Sequence, residues 1–287
     1  MNKETRIHDN ISEINQQNNA SINPQVLAHH NRTNLYQIYQ QMQFPSNIEL
    51  TKKAILASLS NQQTTIILQK LLMESSSETI ESIVRELKDE FRKIISDKNG
   101  NYFCTDLFGV CDRKERIKIL EELSPYASED CVNNFATHPI QKLIDISDSE
   151  EEYKLILYSF NDFNQLRFAS LDPNGAYVIQ KIITKIPEHF RKDFNLIFTS
   201  FIGLASKRKF GIVTVKKFLE YTKDKDITAR ILNIIKNDFM IFAENQYGNY
   251  LIQYLLEKWA DIPEGKEIKE LVLQNFKIMC QQKYSSF

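Results

Sequence analysis

Four of the seven glycines in this 287-residue chain occupy one position of a recurring phrase. Gly175 opens GAYVIQKII, Gly211 opens GIVTVKKFL, Gly248 opens GNYLIQYLL, and Gly100 opens the looser GNYFCTDLF. The same frame reaches Ala136 in ATHPIQKLI and Thr64 in TTIILQKLL, where a different small residue replaces glycine. The intervals between these anchors are 36, 36, 39, 36 and 37 residues. A unit of that length has room for two helices and tight turns, and it cannot bury its apolar face alone, so its neighbours must stack on it. Apolar pairs every three to four positions and the lack of strand alternation predict an all-α solenoid over residues 34–287. It holds about six full repeats and a partial seventh. In the seventh, Gln282-Lys283-Tyr284-Ser285-Ser286-Phe287 aligns with Asn245-Gln246-Tyr247-Gly248-Asn249-Tyr250. The chain stops inside what reads as a helix, so the repeat domain is expected to be incomplete at its C-terminus.

Residues 1–33 form a separate region. They are rich in Asn and Gln, as in NQQNN at 15–19, and lack sustained apolar periodicity, which predicts a flexible tail. The rest is compatible with a packed soluble domain, with 42% hydrophobic and 25% charged residues. Lys and Arg number 36 against 37 Asp and Glu, so any polyanionic partner must be argued from local charge. Cys104, Cys111, Cys131 and Cys280 match no zinc spacing and read as reduced thiols. There is no phosphate-cradling GxxxxGKS or GxxxxGKT loop, no GxSxG and no HExxH. His8, His29 and His30 lie in the tail, and His138 and His189 have no nucleophile or metal-ligand partner at a telling spacing. A non-enzyme without metal or cofactor is expected. The opening MNKETRIHDN lacks an apolar stretch, the uncharged and largely apolar run Asn195–Ser206 is too short to span a bilayer, and the longer uncharged runs are broken by Asn, Gln, Ser and Thr. An intracellular protein with no membrane partner follows.

The repeated helix carries the chemistry. At about 100° per residue, Asn249 and Gln253 share one face, while Leu251 and Leu255 fall on the other as core. An exposed amide pair can bond the edge of a flat polar ligand, and Tyr250 between them can stack on its face. Repetition of that rung suits the unpaired bases of a single strand. These residues resemble the PUF (Pumilio) repeat family over about Leu35 to Phe287. The resemblance implies a right-handed, armadillo-like crescent that binds single-stranded RNA on its concave face, normally with eight repeats.

Carried over by that resemblance, Asn249, Tyr250 and Gln253 match the uracil-reading combination. Thr137, His138 and Gln141 are implied readers in the third repeat, Tyr177 and Gln180 in the fourth, and Asn101 and Tyr102 in the second, where Thr105 replaces Gln. Gln69 follows Thr65 and Ile66 in the first. Ser286 begins the seventh set, with Phe287 beside it. Ala176 cannot hydrogen-bond, and Ile212, Val213 and Lys216 form no standard combination. Residues 161–221 carry ten Lys or Arg against five Asp or Glu, whereas 74–130 carry nine against fourteen. Lys207, Arg208, Lys209 and Lys216 are therefore the expected phosphate contacts, and Lys181 and Lys217 are as well suited to a solvated face.

The expected function is sequence-selective binding of uridine-containing single-stranded RNA, in mRNA 3′ untranslated regions, with post-transcriptional regulation of translation or stability. The implied protein is a cytoplasmic monomer, with regulatory proteins on its convex face. Two alternatives stand beside this. One is a divergent, nucleolar ribosome-biogenesis factor that binds structured RNA. The other is a HEAT or armadillo scaffold for proteins, which needs no Gln at the last reading position.

Overall fold

Eighteen α-helices and no strand occur among the described residues, 51–284, of the computed structural model. The tail at 1–33, residues 34–50, Ser286 and Phe287 lie outside them. The described helices belong to one contact-dense unit that begins at Leu50. They fall into six triads. The first triad is α1 (Lys52–Leu59), α2 (Gln62–Glu74) and α3 (Ser77–Glu86); the second is α4 (Phe91–Ile95), α5 (Gly100–Val110) and α6 (Arg113–Leu123). The third is α7 (Ala127–Asp130), α8 (Thr137–Ile146) and α9 (Glu150–Tyr158); the fourth is α10 (Phe163–Leu171), α11 (Gly175–Lys185) and α12 (Lys192–Ser200). Then follow α13 (Ile202–Ala205), α14 (Lys209–Tyr221) and α15 (Lys225–Asn237), and finally α16 (Phe239–Ala243), α17 (Asn249–Lys258) and α18 (Pro263–Met279).

Each repeat thus has three helices, where two were expected. The extra one is the short helix that precedes the glycine-led segment. It is packed against that segment so tightly that four of the six anchors carry no side chain. A Cβ on Gly100, Gly175, Gly211 or Gly248 would overlap the carbonyl oxygen six residues earlier, on Ile94, Ala169, Ala205 or Phe242. In the first repeat Thr64 occupies that place, and its Oγ1 donates to the Ser58 carbonyl at 2.5 Å instead.

The middle helices stack in series: α2 on α5, α5 on α8, α8 on α11, α11 on α14 and α14 on α17. Their apolar faces join one core that runs from Ile55 to Met279. At its centre Phe198 lies 4.6 Å from Phe218 and 5.1 Å from Phe201, ring centroid to centroid. Polar links between repeats also span about one period. Arg92 pairs with Asp130 at 3.0 Å, Arg116 with Glu152 at 2.7 Å, and Lys181 with Asp145 at 2.6 Å. Arg191 is the largest buried side chain, and it bridges the Ile186 and Tyr221 carbonyls and the Asn195 amide oxygen.

The 39-residue interval has a simple location. From each anchor to the next short helix the count is 27 or 28 residues throughout, but α10 has nine residues where α4, α7, α13 and α16 have four or five. The surplus is absorbed in that one short helix, which packs on the middle helices α11 and α14.

Candidate nucleic-acid interface

The middle helices begin from a shared turn. Three residues before the small anchor, Asp97, Asn133, Asp172 and Asn245 each accept two backbone N–H bonds through Oδ1, from the residue before the anchor and from the anchor itself, at 2.8–3.1 Å. Asn61 accepts from Gln63 in the same way at 2.7 Å. These side chains satisfy donors that a helix start leaves open. In two repeats the next residue but one ties the turn to its predecessor: the Asn99 amide donates to the Leu59 carbonyl at 3.1 Å, and Asn174 donates to Val132 at 3.0 Å. Only in the fifth repeat does a basic residue, Arg208, stand three before the anchor, and there no side chain caps the helix. The acidic or amide residue at this offset recurs as plainly as the glycine, yet sequence reasoning overlooked it.

Two positions after each anchor lies an exposed side chain: Ile66, Tyr102, His138, Tyr177, Val213 and Tyr250. Tyr102 and Tyr177 are more than 60% exposed although they sit on helices packed at both flanks. Five positions after the anchor come Gln69, Thr105, Gln141, Gln180, Lys216 and Gln253. All are half-buried except Gln253, which is exposed, so the four glutamines share one side of the stack and none is sealed among leucines.

The residue directly after the anchor behaves differently from expectation. Thr65, Asn101, Thr137, Ala176, Ile212 and Asn249 are all buried. Asn249 was expected to present a free amide; instead its Nδ2 donates to the Asn245 carbonyl at 3.0 Å and its Oδ1 accepts from Gln253 Nε2 at 3.2 Å. Asn101 donates to the Asp97 and Lys98 carbonyls, both at 2.9 Å. Thr137 Oγ1 donates to the Asn174 carbonyl at 3.3 Å and accepts from Gln141 Nε2 at 3.0 Å. The cause is the tight seam with the preceding short helix, which turns this position towards the turn rather than outward. Thr105 likewise bonds back to the Asn101 carbonyl at 2.8 Å. The outward surface is therefore built mainly from the second and third positions. Among these, Gln180 has no side-chain hydrogen bond among the described residues, while Gln69 donates to Asp106 at 2.5 Å.

Between the first two rungs the surface opens into a concavity of about 550 Å³, lined by Thr65, Ile66, Gln69, Lys98, Asn99 and Tyr102 among others. Lys98 stands two residues before its anchor, and Lys209 holds the same place in the fifth repeat. Of the expected phosphate contacts, Lys207, Arg208, Lys209 and Lys216 form no ion pair among the described residues. By contrast Lys181 is spent on Asp145 and Lys217 on Glu220.

This arrangement of stacked triads has counterparts in known proteins. A model described as the Pumilio-family RNA-binding repeat matches residues 66–88, 91–124, 170–192 and 239–261. The chain carries repeats of the Pumilio family. Pumilio homolog 12 of Arabidopsis thaliana is 24% identical over 226 residues, covering 76% of this chain and 37% of that one. Fem-3 mRNA-binding factor 1 of Caenorhabditis elegans is 24% identical over 229 residues, covering 69% and 36%. The RNA-binding domain of yeast Puf5p, solved with SMX2 RNA, superposes with a TM-score of 0.72 at 25% identity, covering 80% of this chain and 66% of that one. This Pumilio-repeat chain spans little more than a third of the length of the curated relatives it matches. The matched solenoid bears out the all-α repeat reading.

Proposed function

We propose that this chain binds single-stranded, uridine-containing RNA along the face made by α2, α5, α8, α11, α14 and α17, and so regulates mRNA translation or stability. The observation that carries the reading is the ladder of exposed side chains from Ile66 to Tyr250, three of them tyrosines, each one helical turn from a Gln, Thr or Lys. Rings held at the repeat spacing offer stacking surfaces for bases, and the half-exposed amides offer edge contacts. The names of the relatives agree: one is an mRNA-binding factor, and Puf5p is held with RNA. The chain acts by occupying the transcript and recruiting or blocking other factors, with no chemistry of its own. It works as a monomer in the cytoplasm, on 3′ untranslated regions, with its outer helices free for regulatory proteins.

Ala176, Ile212 and Val213 favour a second reading, because three positions without a polar side-chain atom reduce base discrimination. On that reading the chain is a nucleolar factor for structured RNA. Selection of bound RNAs from a random pool separates the two. An enriched unpaired UGU-like core is the expected result. Enrichment of hairpins without a shared sequence would favour structured RNA, and no enrichment at all would leave a protein scaffold.

A further inference from the structure

The outward glutamines differ in what holds them, and the first is held from the next repeat. A side-chain amide turned end for end exchanges its donor and its acceptor, so its orientation decides which base edge it fits. Gln253 Nε2 donates to Asn249 Oδ1, and that oxygen is fixed because Asn249 Nδ2 is spent on the Asn245 carbonyl. Gln141 Nε2 donates to Thr137 Oγ1, whose own proton goes to the Asn174 carbonyl. The first repeat has no such tie among the described residues, since Thr65 Oγ1 bonds the Asn61 and Ser58 carbonyls. Instead Gln69 Nε2 reaches across the seam between α2 and α5 to Asp106 Oδ2, at 2.5 Å. A carboxylate only accepts, so this amide cannot turn round without setting oxygen against oxygen.

Asp106 is out of pattern. Six positions after the anchor the other repeats have Lys70, Lys142, Lys181, Lys217 and Tyr254. Asp106 is half-buried and pairs with no cation among the described residues. An unpaired carboxylate beside the path of a polyanion opposes binding, so its gain must be of another kind. The fourth repeat lacks both devices: Ala176 has no polar side-chain atom, and Lys217 donates to Glu220.

We infer that Asp106 is a specificity-determining positioning residue. It turns Gln69 Oε1 towards the concavity that Gln69 lines with Ile66 and Tyr102, where the oxygen accepts an imino N–H from uracil or guanine. Uracil presents N3–H beside O4 and guanine N1–H beside O6, whereas cytosine and adenine hold the same two places with donor and acceptor exchanged. The locked amide therefore rejects cytosine and adenine at this rung, while the unheld Gln180 tolerates either order. This inference rests on the RNA-binding reading above.

The test uses the full chain and the RNA selected from the random pool, with each nucleotide varied in turn through U, C, G and A. The nucleotide whose preference Gln69→Ala abolishes marks the first rung. There the unaltered chain should favour uracil over cytosine, or guanine over adenine, by about tenfold in Kd. Asp106→Asn keeps the shape but lets both amides turn together, so that ratio should fall below about threefold. Asp106→Lys installs a group that only donates, and it should turn the amide round and favour cytosine or adenine at that nucleotide alone. Both changes remove a negative charge, so affinity for RNA in general should rise and the ratio is the readout. An unchanged ratio in Asp106→Asn, or a loss of preference spread over all nucleotides, would overturn the assignment while leaving RNA binding intact. So would a Gln69→Ala chain that reads every nucleotide as before. Failure to enrich any RNA would instead remove both.

Discussion

Side chains on the outward face and side chains in the seams are expected to fail in different ways. Replacing Tyr250 with Ala removes a stacking surface and should weaken RNA binding by about 1–3 kcal/mol, with little change in base preference, as measured by fluorescence anisotropy. Thermal stability should hold, since this ring is nearly half exposed. Arg191→Met should do the reverse. It leaves the Ile186 and Tyr221 carbonyls and Asn195 without their shared donor, at a cost of about 3 kcal/mol in urea unfolding with the RNA-reading residues untouched. The outward residues Tyr102, His138, Tyr177 and Tyr250 were legible in sequence because their period marks a face. The burial of Asn101 and Asn249 was not. It depends on how closely another helix crosses six residues upstream, which no periodicity within the middle helix records.

At the level of helices and turns, the anchor glycine is the point of greatest sensitivity. Gly175→Ala would gain about 1 kcal/mol of helix propensity, but its methyl would meet the Ala169 carbonyl. Overpacking of this kind costs about 1–3 kcal/mol, so net destabilisation is expected in a urea titration. The outer helix α9 begins with a capping box, in which Ser149 and Glu152 bond each other's backbone, and Glu152 also receives Arg116 from the previous repeat. Burial pushes the Glu152 carboxyl up, yet Arg116, Ser149 and the Asp148 N–H outweigh it and hold it below its usual range. A lowered value means that Glu152 stabilises the fold above the unfolded carboxyl pKa and loses that contribution as pH falls through the folded one. Glu152→Gln should therefore cost about 2 kcal/mol at pH 7, and the gap to the unaltered chain should close under acid, as followed by urea unfolding across pH. The middle and outer helices were readable because each spans two or more turns with an apolar face. The short helices were not, since four or five residues, as in α7 or α16, carry no measurable period and are stabilised only by what they pack against.

Across the whole array, long-range attraction to a polyanion cannot come from net charge, which is −1. It must come from the fourth and fifth repeats, where the unpaired cations are concentrated. Replacing Lys207, Arg208 and Lys209 together with Ala should weaken all single-stranded RNAs alike and lower the salt slope by about 2, measured by binding titrations from low to moderate salt. The longer α10 bears on the same array. The interval that contains it is three residues longer than 36, close to the 3.6 of one α-helical turn, and Ala169 still meets Gly175 as Ala205 meets Gly211. Evolutionary drift in length is consequently quantised along this edge: gains near a whole turn keep the seam in register, whereas one or two added residues would swing it by roughly 100° or 200° and throw every later rung out of alignment with the earlier ones.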